Sequence, residues 1–461
     1  MSGRDDTLSA LRLSSFAPPG LALTLRVGRL RAAALLTLGL LACLWTAALA
    51  FGGTLLLAWS AVEFLAILLM GTLLWSGNWR DPALPFPWKA PALLLLFVVV
   101  QSALVRPPVY LAREQFLRLL VLACAFCIAA ALARDTVWRA RLIYGLVALG
   151  LFEALYGLVQ SIPGWHWIFT YKKIFYTAQA TGTYINPNHF AGLLELIFPF
   201  SLASVLQRLD HFNPHSHAVG PSGLPRSERL SALIFYSFAT LLLFAGILLS
   251  RSRMGLLSVT LAALAMGLLW LSQSARSGRL LPLLGLLTAA VLFSLWLGLG
   301  PVLARYSLLD IDFSVRLSVW KDSVTLIRSQ PLLGTGLGTF ADSFTRVQST
   351  LLGRTVDHAH NDYLEFAVEW GLPGAALLFG LILWLYIRTI RACLRPAKPE
   401  SRYLALACSG SILALLVHSL ADFNLQIPAN ALLFSVMLGL AASLDSLRPT
   451  AAARPLTGGT A

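Results

Sequence analysis

Long apolar stretches alternate with short polar segments along most of the chain. Stretches such as 32–50 and 90–105 are each about long enough to cross, as a helix, the roughly 30 Å hydrocarbon core of a bilayer. A segment in lipid must satisfy its own backbone hydrogen bonds, which only helices and closed barrels achieve. Because these stretches are continuous and lack the period-two alternation of barrel strands, the pattern predicts membrane-spanning helices.

The pattern predicts an all-α, polytopic membrane protein with about twelve spans. The expected spans cover residues 32–50, 54–75, 90–105, 113–133, 142–162, 188–206, 231–250, 254–271, 281–300, 364–387, 404–420 and 431–446. The predicted organisation is a tail at 1–30, spans one to nine within 31–300, a large loop at 301–363, spans ten to twelve within 364–446, and a tail at 447–461. The first apolar stretch is followed at once by a second without a clear small-residue cleavage site, so we expect a span rather than a signal peptide.

Composition and charge agree with this prediction and suggest an orientation. The chain is 57% hydrophobic and only 12% charged, whereas soluble domains are about 25% charged. Its net charge of +14 would suggest nucleic acid in a soluble protein. Here most Lys and Arg residues lie in tails and short loops on one side, which the positive-inside bias assigns to the cytoplasm. We therefore expect both termini inside, the 301–363 loop outside, and a lipid bilayer rather than nucleic acid as the partner.

Two arginine-bearing segments are expected on the outer side. Arg251 and Arg253 lie in a tight turn between two spans, and Arg316 lies on an amphipathic stretch of the large loop. Paired guanidinium groups can hold a phosphate or pyrophosphate. The alternatives are a helix cap or lipid headgroup contacts for the first pair, and a solvated interfacial helix for Arg316.

The end of the large loop has the sequence DHAHND, with two histidines that are candidates for a general base. His358 and His360 are two residues apart, and Asn361 follows as a candidate helix cap. A metal site is conceivable from the residue types. However, this spacing differs from the i, i+4 pairing of helical zinc sites, so we predict no metal.

Two further polar residues belong to the same predicted side. Asp422 follows the eleventh span and could orient a base or bind sugar hydroxyls, although a plain helix end is an equal alternative. Asn188 belongs to a turn that starts the sixth span. Because all these candidates share one face, an outward-facing site for a lipid-linked phosphate donor is predicted.

At this point the sequence resembles the bacterial O-antigen ligases and their relatives, the O-antigen polymerases and protein O-oligosaccharyltransferases. The ligase pattern H-[NSQ]-x9-G-x-x-[GTY] matches His360, Asn361, Gly371 and Gly374. A second ligase pattern, R-x3-L, matches Arg253 and Leu257, and the order SVRLSVW, QPLLGTGLGTF, HAHNDYLEFAVEWG resembles the shared C-terminal region. The resemblance that carries these motifs covers about 180–445.

The resemblance implies a membrane-embedded, GT-C-type glycosyltransferase that is inverting and uses neither a metal nor a cofactor. The implied donor is a glycan on undecaprenyl pyrophosphate, the acceptor is a lipid A-core sugar hydroxyl, and the site faces the periplasm from the bacterial inner membrane. His360, Arg316 and Arg253 would be catalytic, with His360 as the base and the arginines on the pyrophosphate. The remaining candidate substrate-binding residues are Arg251, Asn361, Asp422, Asn188 and His358.

Several alternatives remain open from the sequence. Within the family, an O-antigen polymerase or a protein O-oligosaccharyltransferase would share the same motifs. A transporter or flippase would instead use polar residues near span centres, for which Glu63 and Glu153 are the main candidates. A third possibility is a non-catalytic membrane scaffold, in which His360 would have no essential role.

Overall fold

The computed structural model describes eight parts of the chain. They are residues 19–77, 87–162, 165–212, 226–272, Gly285, 309–349, 355–395 and 399–444. The ninth predicted span, 281–300, lies outside these residues apart from Gly285, as do residues 1–18 of the predicted N-terminal tail and the whole predicted C-terminal tail, 447–461.

Within the described residues, the chain is almost entirely helical. The helices are α1 (Pro19–Leu49), α2 (Leu56–Ser76), α3 (Lys89–Val105), α4 (Val109–Leu132), α5 (Thr136–Gln160), α6 (Pro187–Phe212), α7 (Arg226–Ser250), α8 (Arg253–Ser272), α9 (Leu309–Ser329), α10 (Phe340–Phe344), α11 (Asp362–Leu394), α12 (Pro399–His418) and α13 (Pro428–Ala442). A two-residue antiparallel pair, β1 (Trp167–Ile168) with β2 (Tyr171–Lys172), and a short 3-10 helix, Asn424–Gln426, complete the described elements.

Nine of the described helices are long and apolar enough to cross a membrane, by length and composition. Two shorter apolar helices, Lys89–Val105 and Pro428–Ala442, coincide with the third and twelfth predicted spans. The chain is therefore an all-α, multi-pass membrane protein, as the hydrophobic pattern predicts.

Some helices begin earlier than the hydrophobic pattern predicts. Helix α5 starts at Thr136 rather than 142, because the side chain of Asp135 accepts hydrogen bonds from the backbone of Val137 and Trp138. Helix α1 starts at Pro19, inside the predicted tail at 1–30. The Asp135 cap extends α5 beyond its apolar part, and α1 continues through Arg26, Arg29 and Arg31 before its long apolar stretch, so hydropathy alone places both starts too late.

Helix α6 is the centre of the bundle. In its candidate span, Pro187–Asp210, 94% of the most apolar window is buried inside the protein, against 50% or less for the spans at the periphery such as those of α2 and α8. It packs against α7 and α12. Polar residues at the start of α6 are therefore enclosed by protein rather than by lipid.

The helices alternate in direction, which gathers a set of connections at one end of the bundle. The loop after α5 bonds to the first helix hairpin through Thr183 Oγ1, which donates to the Ala48 carbonyl at 2.8 Å. It also bonds to the end of α7, where the Ala180 amide donates to the Leu249 carbonyl at 3.1 Å. We call this end, which also carries 330–349, 355–361 and 419–427, the site end.

Helix α11 contains a sharp kink at Gly371. Its φ of 70° and ψ of 171° are non-helical, and Pro373 follows two residues later. The glycine-rich segment GTGLG, residues 334–338, packs on this kink: the Thr335 amide donates to the Val368 carbonyl at 2.8 Å. The kink separates the site-end turns of α11 from its membrane-spanning part.

Candidate functional site

The carboxylate of Asp422 lies at the centre of a cluster of histidines at the site end. Asp422 is only 1% exposed. Its Oδ1 is 3.8 Å from His189 Nε2 and 3.8 Å from His360 Nδ1, while its Oδ2 is 3.9 Å from His418 Nε2. The start of α6, the loop before α11 and the end of α12 each supply one of these rings, so the cluster exists only in the folded bundle.

Asp422 is held as a carboxylate anion. The Asn188 side chain donates to its Oδ2 at 2.7 Å, and the Phe423 backbone amide donates to its Oδ1 at 2.9 Å. Burial by itself raises the pKa of this carboxyl, but favourable interactions with the His189 and His360 rings outweigh it, so the pKa of Asp422 lies well below its ordinary value. A buried negative charge therefore faces the histidine rings at neutral pH.

His360 occupies a strained backbone position directly before α11. Its φ is 50°, in the left-handed region that non-glycine residues rarely adopt. The next residue, Asn361, fixes the chain there: its side-chain oxygen accepts from the Leu364 amide, and its side-chain nitrogen donates to the Leu420 carbonyl at 2.9 Å. Strain of this kind persists only where the surroundings impose it, and it is common at functional sites.

The His360 ring has one protected nitrogen and one open side. Nδ1 is buried, faces Asp422, and makes no hydrogen bond with the described residues. The side chain as a whole is nevertheless 39% exposed. An imidazole with a carboxylate behind it and an open face in front has the arrangement of a general base.

His358 has a different environment from His360, although the two are close in sequence. Its Nδ1 lies 2.7 Å from Glu365 Oε1, and the other oxygen of Glu365 accepts from the Ala359 amide at 2.8 Å. Burial lowers the pKa of His358, but the Glu365 carboxylate more than offsets this, and the net shift is upward. His358 is thus engaged in an ion pair that shapes the loop.

The aromatic ring of Phe423 organises three of the histidines. It stacks on His358 with centroids 4.1 Å apart and an angle of 17°. His189 and His360 meet it edge-on, at 4.7 Å and 4.9 Å. This ring fixes the orientation of each imidazole and excludes water from the space between them.

Buried Asp362 ties the first turn of α11 to the 419–427 segment. Its Oδ2 accepts from the Ser419 hydroxyl at 2.7 Å and from the Leu425 amide at 3.2 Å. Its backbone amide donates to the carbonyls of Ser419 and Asp422. The distance between His360 and Asp422 is therefore set by several hydrogen bonds between their two segments.

Arg316 approaches the same segment from α9. Its guanidinium donates to the carbonyl oxygen of Ala421, the residue before Asp422. One turn further along α9, Trp320 Nε1 donates to the Ala359 carbonyl at 3.0 Å. Helix α9 thus contacts the segments that carry His360 and Asp422, and brings a cation to the site.

The arginine pair lies in the turn between α7 and α8, also at the site end. Arg251 has a φ of 55°, and Arg253 is the first residue of α8. Close packing of Gly255 against Ala191 in α6 seats this turn beside the helix start that carries Asn188. Both arginines are half-buried. The fold thus brings every predicted site residue to one end of the bundle.

Sequence reasoning did not select several residues of the cluster. His189 and Phe423 contact the selected residues directly, while His418 Nδ1 lies 2.9 Å from Glu195 Oε2, with both side chains fully buried. A signal in the sequence could have found His189, Glu195 and His418. Each is an ionisable residue in or beside an apolar stretch, and such residues are costly in a membrane.

The contacts of Glu153, which the sequence analysis names as a candidate for a transporter site, indicate a structural role. One carboxyl oxygen of Glu153 accepts from the Thr183 amide at 2.9 Å, and the other lies 2.6 Å from the Thr183 hydroxyl oxygen. Glu153 therefore fixes the loop before α6.

Among the described residues, no group of three or more His, Cys, Asp or Glu side chains has a geometry suited to a metal ion.

Comparison with known proteins finds a family match over a part of the chain that includes some of the site residues. Residues 238–379 match a family model described as O-antigen ligase. The match includes Arg251, Arg253, Arg316 and His360, whereas Asn188 and Asp422 lie outside it. No curated protein matches the chain. The match supports a ligase- or polymerase-type glycosyltransferase function on lipid-linked glycans, and agrees with the resemblance found in the motifs. The chain is a multi-pass membrane protein that is similar to the O-antigen ligase family over residues 238–379.

Proposed function

We propose that the protein is an O-antigen ligase, which transfers a glycan from undecaprenyl pyrophosphate to a sugar hydroxyl of a lipid A core. The observation that carries this proposal is the pairing of His360 with buried Asp422, 3.8 Å apart, at the end of the bundle that also holds Arg253 and Arg316. A base and two cation sources are what this transfer requires.

His360 accepts the proton of the acceptor hydroxyl while that oxygen attacks the anomeric carbon of the donor sugar. A new carbon–oxygen bond forms as the bond to the pyrophosphate breaks, and the electron pair leaves with undecaprenyl pyrophosphate. Attack from the face opposite the leaving group inverts the anomeric configuration. Asp422 stabilises the imidazolium that results, because its carboxylate faces Nδ1.

Arg316 and Arg253 bind the pyrophosphate and stabilise the charge that develops on it. Arg316 is anchored at Ala421, so its guanidinium is held next to the base. Arg253 starts α8, where the helix N-terminus also favours an anion. Arg251 contributes a further positive charge in the same turn, while Asn361 and Asn188 position His360 and Asp422.

The proposed site faces the periplasm of a bacterial inner membrane. Most Lys and Arg residues of the short loops fall at the opposite end, which the positive-inside bias assigns to the cytoplasm. An undecaprenyl-linked donor in the outer leaflet then reaches the site end directly. No soluble nucleotide donor is required.

The proposal is tested with purified protein in detergent, undecaprenyl-pyrophosphate-linked glycan, and a chelator. Lipid A core, lipid-linked glycan and a Ser/Thr peptide are offered as separate acceptors. Glycan on lipid A core is the expected product. Longer lipid-linked glycan would instead identify a polymerase, and glycosylated peptide a protein-directed transferase. No transfer to any acceptor would rule out all three.

Replacing Asp422 by Asn is expected to lower kcat by about tenfold to a hundredfold. The substitution keeps the volume but removes the charge that stabilises the imidazolium, and the expected loss corresponds to about 1.4–2.7 kcal/mol of transition-state stabilisation. KM for the donor should change little, because Asp422 is buried behind His360. Steady-state transfer assays separate the two constants.

Asp342→Asn is the matched control for this prediction. Asp342 is an exposed carboxylate of α10 at the same end of the bundle. It should retain the wild-type kcat. If Asp422→Asn also retains it, Asp422 has no role in the reaction.

A further inference from the structure

A cavity with polar side chains in its lining lies at the end of the bundle opposite the site end. It has a volume of ≈ 510 Å³ and is enclosed by α5, α6, α7 and α12. Three arginines line it: Arg139, Arg141 and Arg208. This volume is within the range of about 300–1,000 Å³ that is typical of small-molecule sites. None of the chemistry proposed above uses this cavity.

Arg139 is the most deeply buried of the three arginines. Its residue is 6% exposed, and its guanidinium donates to the Ala133 carbonyl at 2.9 Å and to Glu400 Oε2 at 3.3 Å. The Glu400 side chain is 62% exposed, so water screens much of its charge. Glu400 is also the only carboxylate among the described residues that line the cavity.

Aromatic rings hold the other two arginines in place. The Arg208 guanidinium lies 4.1 Å from the centroid of the Tyr236 ring and donates to the Ser204 carbonyl at 2.9 Å. Arg141 lies 4.4 Å from the Trp138 ring centroid. Stacking orients a guanidinium without neutralising it. The cavity lining thus carries three fixed positive charges and one screened negative charge.

Hydroxyl groups add to this lining. Tyr144, Tyr236 and Tyr403 all face the cavity, and the Tyr403 hydroxyl is hydrogen-bonded to the nearby carboxylate of Asp210. Arg139 is buried and Arg208 is half-buried, and cations in such positions are costly without a counterion. Guanidinium forks match the geometry of phosphate oxygens.

We propose that this cavity binds a phosphate group. Its position among membrane-spanning helices near one surface gives access to the headgroup of an anionic phospholipid in that leaflet, and basic pockets of this kind bind such headgroups. A soluble phosphate compound has the same recognition chemistry. A ligand here would touch α6 and α12, which also carry His189 and His418 at the site end, so its binding should stabilise the central helices.

The test measures thermal unfolding of the full-length protein in detergent. One arm adds phosphatidylglycerol, with phosphatidylcholine as the neutral comparison. The other arm adds sodium phosphate or pyrophosphate, with sodium chloride at equal ionic strength. A rise in Tm with phosphatidylglycerol alone identifies a lipid site, and a rise with free phosphate identifies a soluble ligand. Because pyrophosphate is also expected to bind Arg253 and Arg316 at the site end, either rise supports the proposal only if Arg208→Gln or Arg141→Gln reduces it.

Three arginine variants make the test specific. Arg208→Gln and Arg141→Gln should each weaken the apparent affinity by about fivefold, the effect of one basic residue near a membrane surface. Arg141 is exposed, so its substitution is compatible with folding even if that of Arg208 is not. Arg391→Gln, an exposed arginine of α11 at the same end but outside the cavity, should bind like the wild type. The proposal would be overturned if neither phosphatidylglycerol nor phosphate raised Tm. It would also be overturned if Arg391→Gln weakened the apparent affinity as much as Arg208→Gln and Arg141→Gln do.

Discussion

Replacing His360 by alanine is expected to reduce the rate of glycan transfer by about 10²–10⁴-fold, the usual contribution of a general base. The hydroxyl of a sugar is a weak nucleophile until its proton is removed. With His360 absent, Asp422 remains buried behind the ring position, where an acceptor hydroxyl cannot reach it directly. The initial rate of transfer from undecaprenyl-pyrophosphate-linked glycan to lipid A core is the measurement.

Two other histidines serve as controls for this result. His166→Ala should keep the wild-type rate, because His166 lies in the loop before α6 and bonds only locally, with its Nδ1 3.1 Å from the Thr177 carbonyl. His358→Ala tests the neighbouring ring and should lower the rate less than His360→Ala, since His358 is held by Glu365. A His360→Ala enzyme with half or more of the wild-type rate would show that another group is the base.

The membrane architecture could be predicted because hydrophobicity along the chain is a local signal. Each predicted span that falls within the described residues coincides with a helix. The helices α1 and α5 start earlier than predicted, since hydropathy detects neither the Asp135 cap nor a helix that continues through Arg26, Arg29 and Arg31. The kink of α11 at Gly371 depends on a contact with the 331–336 segment, which no local pattern encodes.

The candidate site could be predicted only in part, for a related reason. Topology alone placed Arg253, Arg316, His360 and Asp422 at one end of the bundle. It could not predict that Asp422 would face three imidazoles, because these are brought together by the packing of helices that are distant in sequence. The ligase pattern selects His360 rather than His358 by its spacing, but it could not predict their different partners, Asp422 for His360 and Glu365 for His358.

Replacing Gly371 by alanine is expected to destabilise the fold by about 3 kcal/mol or more. Its φ of 70° and ψ of 171° belong to a region that is essentially restricted to glycine, and strain of this type costs about 1–3 kcal/mol. A Cβ atom would also lie 2.4 Å from the Leu332 carbonyl oxygen and 2.9 Å from the Gly334 amide nitrogen, both backbone atoms that cannot rotate away. The second glycine of this contact, Gly334, has the same constraint, since its own Cβ would lie 2.5 Å from the Glu369 carbonyl oxygen.

This prediction gives the ligase motif a physical meaning, because the glycine eleven positions after His360 allows α11 to kink where the 331–336 segment docks. Equilibrium unfolding in mixed micelles of mild detergent and SDS measures the change in free energy. Gly380→Ala is the matched control: Gly380 lies in the regular part of the same helix, and a Cβ there would meet no atom within 4 Å. It should be neutral or slightly stabilising, since alanine favours helix more than glycine does. If Gly371→Ala is as stable as Gly380→Ala, the kink does not require glycine, and its place in the motif has another cause.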